Sequence, residues 1–149
     1  MSLQDKVMHE MKSAMKAKDT VALESLRAIK SALLMAQTEK GGAITLSEED
    51  EVKMVQRLVK QRKDSAAIFI EQGREDLAAT ELSQIAVIEK FLPEQLSEEA
   101  VEKVVMATIN KVGASGMKDM GKVMGLVSKE LAGQADGKTI SNIVRKNLN

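Results

Sequence analysis

Residues 47–73 read SEEDEVKMVQRLVKQRKDSAAIFIEQG, and this stretch decides the fold class. Its apolar positions Val55, Leu58, Val59, Ala66 and Phe69 recur at steps that keep them on one side of an α-helix, not at the alternation of a strand. Ser47, with Asp50 three residues on, resembles a capping box in which Asp replaces the usual Glu or Gln. Gly73 supplies the stop. The spacing predicts a helix from Glu48 to about Gln72, with Arg62 inside the apolar stripe, so its guanidinium needs a carboxylate or backbone carbonyl from another helix.

The same period extends in both directions. Before this helix, Asp19 reads as the N-cap of a second helix with Ala22, Leu23, Leu26, Ile29, Leu33 and Leu34 as its stripe and Gly41-Gly42 as its end. A first helix, about Leu3 to Lys18, carries Leu3, Val7, Met11, Ala14 and Met15. After Gly73 a fourth helix carries Leu77, Leu82, Ile85, Val87 and Ile88 to Phe91. Leu92-Pro93 then forces extended backbone, because the residue before proline avoids the helical region. Beyond it, Ser97 caps a helix from Glu98 to about Val112, and Gly113 to Gly116 turn. A sixth helix runs from Met117 to Ala132 with Gly133 as C-cap, and Asp136-Gly137 opens the last, whose apolar side is Ile140, Ile143, Val144 and Leu148. The expectation is an all-α fold: an N-terminal four-helix part, residues 1–92, and a compact C-terminal three-helix bundle, residues 93–149.

Composition narrows the function. There is no cysteine among 149 residues, which excludes disulfides, thiolate metal sites and cysteine nucleophiles, and cytoplasm is the default compartment. Charged residues interrupt every apolar run, so neither a signal peptide nor a membrane partner is expected. Twenty-two basic and 22 acidic side chains balance, so any attraction to a polyanion must be local. Only Phe69 and Phe91 are aromatic, too few to stack unpaired bases. Ten methionines suit helical cores first and adaptable surfaces second.

No enzyme motif is present. His9 has no companion that would make it a base or a metal ligand, and Gly113-Ala114-Ser115-Gly116 follows a helix rather than a strand, so it is a turn and not a phosphate loop. No cofactor is implied. Two basic constellations remain. Lys53, Arg57 and Lys60 face away from the stripe of the long helix, diluted by Glu48, Asp64 and Glu71. On the sixth helix, Met120, Val123, Met124, Val127 and Leu131 make the buried side, while Lys118, Lys122 and Lys129 line up opposite. Gly121, Gly125, Ser128 and Ala132 form an adjoining small-residue ridge, against which a protein backbone or a phosphodiester could lie closely. Lys138, Arg145 and Lys146 stand on the last helix. An ordinary exposed lysine face, with glycines for helix packing, is the competing reading.

Five segments carry a resemblance: KQRK at 60–63, EQGREDL at 71–77, FLPEQL at 91–96, MKDMGKVMG at 117–125 and ADGK at 135–138. Together they look like the YqeY proteins, a family related to the tail region of the B subunit of the tRNA-dependent amidotransferase. The aromatic before Leu-Pro is usually Tyr and here is Phe91. The resemblance implies an all-α, two-part fold and a role in recognising folded tRNA, the amide-forming chemistry lying in domains this chain does not contain. The label of a carbon-nitrogen ligase with glutamine as amido donor is inherited from the larger enzyme. The leading expectation is therefore a non-catalytic tRNA-binding accessory module using Lys118, Lys122, Lys129 and Lys138, with Gly121 and Gly125 permitting close approach. The alternative is a helical adaptor that docks on an amidotransferase or an aminoacyl-tRNA synthetase. Neither oligomeric state nor tRNA identity is legible.

Overall fold

The computed structural model describes residues 2–39, 41 and 46–149, and it contains seven α-helices and two 3₁₀ turns among them, with no strand. The chain divides into two compact units, Met1–Leu92 and Pro93–Asn149.

The first unit holds α1 Leu3–Ala17, α2 Thr20–Glu39, α3 Glu48–Glu71 and α4 Glu75–Ile88, followed by a 3₁₀ turn at Glu89–Phe91. Each boundary has a local cause. Ser2 and Asp5 form a reciprocal capping box on α1, and Lys18 ends the helix in left-handed backbone at φ 56°. Asp19 Oδ1 accepts the Ala22 N–H at 3.0 Å and so starts α2 as the sequence predicts. Ser47 Oγ accepts the Asp50 N–H at 3.1 Å and starts α3. Gly73 at φ 74° ends the turn after it. Of the expected stop at Gly41-Gly42, Gly41 takes φ 95° just past α2, and Gly42 lies outside the described residues.

Leu26, Ile29, Val55 and Ile88 are among the residues at the centre of this unit, each at most 2% exposed. At about 25 cal/mol per Å² of apolar surface, such side chains stabilise by roughly 1.5–3 kcal/mol each. Three expected stripe residues face solvent: Met15, Leu34 and Leu82 are 54%, 50% and 51% exposed. A four-residue step overshoots one helical turn by about 40°, so Leu3, Val7, Met11 and Met15 drift off a fixed line and Met15 reaches its solvent edge. Leu34 stands about 100° from Leu33 and cannot share its direction. Ala78, buried with Ile85 and Ile88, marks the inward side of α4, and Leu82 lies at its edge.

Arg62 is half-buried and bonded, with a partner other than the one expected. Its Nε donates to Gln84 Oε1 on α4 at 3.0 Å and a terminal nitrogen donates to Leu58 O of its own helix at 3.1 Å. Gln84 Nε2 in turn donates to Glu24 Oε2 on α2 at 3.4 Å. The cross-helix acceptor is thus an amide, which passes the charge on to a carboxylate one helix further away.

At the unit boundary Leu92 is extended, φ −92° and ψ 158°, as a residue before proline must be. The second unit holds α5 Glu98–Val112, a 3₁₀ turn at Met117–Asp119, α6 Met120–Glu130 and α7 Gly137–Leu148. Ser97 caps α5 through the Ala100 N–H, and Asp136 caps α7 through the Thr139 N–H at 2.6 Å. The three helices pack on one another in all three pairings. Their core is largely valine: Val101, Val105, Val123, Val127 and Val144 are all 0% exposed. Valine has essentially one side-chain rotamer in a helix, so burying it forfeits little conformational freedom.

Candidate nucleic-acid interface

α6 is entered through a turn that needs glycine at both ends. Gly113 and Gly116 take φ 65° and 76°, and Asp119 Oδ2 accepts the Ser115 N–H at 2.9 Å. The expected continuous helix from Met117 to Ala132 is shorter at both ends. Its first turn, Met117–Asp119, is drawn into 3₁₀ form beside that Asp119 bond, and the α-helix ends at Glu130. Leu131 to Gln134 then form a turn closed by the Gln134 N–H on Leu131 O at 2.8 Å, with Gly133 at φ 78°.

The rotational phase survives this shortening. Val123 and Val127 are fully buried and Leu131 is 4% exposed, while Met120 and Met124 are half-buried beside them. Lys118, on the 3₁₀ turn, and Lys122 and Lys129, on α6, are exposed on the opposite side. The last two are about 10 Å apart along the axis at 1.5 Å per residue. Lys138 is exposed in the first turn of α7. None of these four ammonium groups has an ion pair or side-chain hydrogen bond among the described residues.

Gly121 and Gly125 are exposed, and a Cβ built on either meets nothing within 4 Å. Packing among the described residues therefore does not require them, which removes that helix-packing reason for their presence. Ser128 and Ala132 of the same ridge are exposed too. One member of the face is not evident from residue type. Leu126, flanked by Lys122 and Lys129, is 44% exposed, and its signal is only its angle on the helix, since leucine reads as core by default.

Local charge favours the same surface. Residues 113–149 contain six basic and three acidic side chains, whereas residues 93–112 contain two and four. Two of the three acids are turned to backbone N–H groups, Asp119 to Ser115 and Asp136 to Thr139. Of the cations of α3, Lys53 pairs with Glu49 at 3.0 Å, Lys63 with Glu89 at 3.8 Å, and Arg62 belongs to the half-buried network with Gln84, while Arg57 and Lys60 are exposed. Three carboxyls of the first unit have displaced pKa values. Hydrogen bonds from Ser2 hold Asp5 low, Arg74 holds Asp76 low, and burial, then repulsion from Glu48, raises Glu51.

No group of three or more His, Asp or Glu side chains that could hold a metal occurs among the described residues. No described helix is long and apolar enough to cross a membrane.

The family model described as Yqey-like protein matches residues 4–148. The E subunit of the glutamyl-tRNA(Gln) amidotransferase of Thermococcus gammatolerans is 34% identical over 104 residues, 67% of this chain and 17% of that protein. The protein named altered inheritance of mitochondria protein 41, mitochondrial, is 37% identical in Clavispora lusitaniae over 98 residues, 64% of this chain and 56% of the relative. Its Saccharomyces cerevisiae counterpart is 28% identical over 138 residues, 88% of this chain and 69% of the relative. The chain thus spans about a sixth of the amidotransferase protein and little more than half of the first mitochondrial one.

Proposed function

The chain belongs to the YqeY-like family, and from that premise we propose that it is a non-catalytic tRNA-binding accessory module. The observation that carries this reading is the outer face of α6 and of the 3₁₀ turn before it, where Lys118, Lys122 and Lys129 stand unpaired among the described residues, beside backbone left open at Gly121 and Gly125. Ammonium groups without carboxylate partners attract phosphates, and the missing side chains let a sugar-phosphate backbone approach the helix closely. Folded RNA is favoured over single strands because the face offers no aromatic ring for stacking. That a relative is named as part of a glutamyl-tRNA(Gln) amidotransferase supports tRNA as the RNA in question. The module would assist an amidotransferase or an aminoacyl-tRNA synthetase, whose own domains do the chemistry.

The test is a titration with unfractionated tRNA at two salt concentrations. Wild type should bind more weakly as salt rises. Lys118→Glu with Lys122→Glu should weaken binding and reduce the slope of log affinity against log salt by about one per lost contact. Absence of salt-dependent binding by wild type, or an unchanged double variant, sinks this reading. The adaptor reading then takes its place, supported by Leu126 and Met117, 44% and 43% exposed in the same part of the unit.

A further inference from the structure

Arg145 and Lys146 are neighbours in sequence but about 100° apart around α7, and the contacts of that helix assign them to different sides. Glu102 of α5 meets Lys146 Nζ at 3.7 Å and accepts from Asn147 Nδ2 at 3.5 Å. The flank of α7 bearing residues 146 and 147 therefore faces α5. α7 buries Ile140, Val144 and Leu148 and also packs against α6. A helix wedged between two neighbours buries the stripe between them, so its other flank faces α6. That flank begins at the half-buried Ser141 and passes outward to Arg145 and Lys138, both exposed. The Arg145 guanidinium has no hydrogen bond or ion pair among the described residues, and α7 contains no Asp or Glu at all.

We infer that Arg145, with Lys138 on the same flank about two turns away, forms a second anchoring strip for the polyanion that meets α6, and that Lys146 lies outside the footprint. The inference rests on the tRNA-binding reading above and deepens it. Arginine suits the role because its planar fork can donate two parallel hydrogen bonds to one phosphate, which fixes orientation as well as adding charge. Lys146 instead spends its charge on Glu102, away from α6.

The two residues supply their own control. Arg145→Gln and Lys146→Gln remove one positive charge each, so a diffuse field effect would move both equally. In the 149-residue chain with unfractionated tRNA, Arg145→Gln should weaken binding about fivefold at low salt and lower the salt slope by about one. Lys146→Gln should match wild type in both. Arg145→Lys should restore the slope but only part of the affinity, since an ammonium cannot make the paired bonds. Unchanged helical circular dichroism certifies each variant, as both side chains are exposed. Equal losses in the two Gln variants, or no loss in Arg145→Gln while wild type binds with a salt slope, would overturn the second strip and leave the α6 reading standing. A wild-type chain that shows no salt-dependent binding overturns the tRNA reading, and this inference with it.

Discussion

A glycine in the interior of a helix costs roughly 0.5–1 kcal/mol relative to alanine, through backbone entropy. Gly125 incurs that cost at an exposed position where an added Cβ would touch nothing. Gly125→Ala should therefore stabilise the protein by about that amount, read as a raised urea midpoint at constant m-value. Gly125→Gln should fold equally well yet bind tRNA more weakly, with a nearly unchanged salt slope, because the obstacle is steric and no charge is lost. A Gln variant that binds like wild type removes close approach from the mechanism. Arg62 shows the opposite arrangement, a half-buried charged group linked across three helices through Gln84 and Glu24. Arg62→Ala leaves the Gln84 carbonyl without its donor and should cost about 1–2 kcal/mol. Truncating Gln84 in that background should then cost clearly less than in wild type. Additive losses in this double-mutant cycle would mean that the network has no coupling.

At the scale of elements, helix starts with a capping side chain are more legible than most helix faces. Caps are local chemistry, and Asp19, Ser47, Ser97 and Asp136 each bond the N–H three residues on. Faces depend on what lies opposite, which no local pattern contains. Met15, Leu34 and Leu82 have the right residue type but sit where the neighbouring helices do not cover them. On α6 the phase was legible because valines at 123 and 127 fix it, and the lysines follow opposite. Leu126 was hidden by its residue type, and Arg145 could be placed only through Glu102, whose bond to Asn147 spans 45 residues of sequence. The first turn of α3 carries a pH consequence of packing. Glu48, Glu49, Asp50 and Glu51 gather there, where the helix dipole favours negative charge, yet burial and repulsion from Glu48 raise Glu51. A carboxyl raised in the folded state contributes stability that is present below its unfolded pKa and lost as pH rises through the folded value. Glu51→Gln should accordingly stabilise the protein more at pH 7 than at pH 4, measured by urea midpoints. An equal difference at both values would show that Glu51 does not titrate abnormally.

At the scale of the whole molecule, a net charge of zero conceals a separation that matters only within the second unit. Three glutamates, Glu94, Glu98 and Glu99, precede or open α5, whereas the stretch from Gly113 onward carries six cations against three acids. The face and the strip proposed on α7 both belong to this unit, which has its own core and no disulfide to depend on. No residue before Pro93 belongs to the proposed RNA contact. A fragment comprising residues 93–149 should therefore bind unfractionated tRNA with the same salt slope as the full chain, because the slope counts phosphate contacts and not the size of the protein. A domain near 60 residues buries only about 60% of its unfolded surface, so its stability is marginal and must be measured first. With Val101, Val105, Val123, Val127 and Val144 fully enclosed, the fragment should give a cooperative thermal transition. If it folds but its salt slope falls, cations of the first unit belong to the interface after all, and Arg57 and Lys60 on the exposed side of α3 become the residues to reverse next.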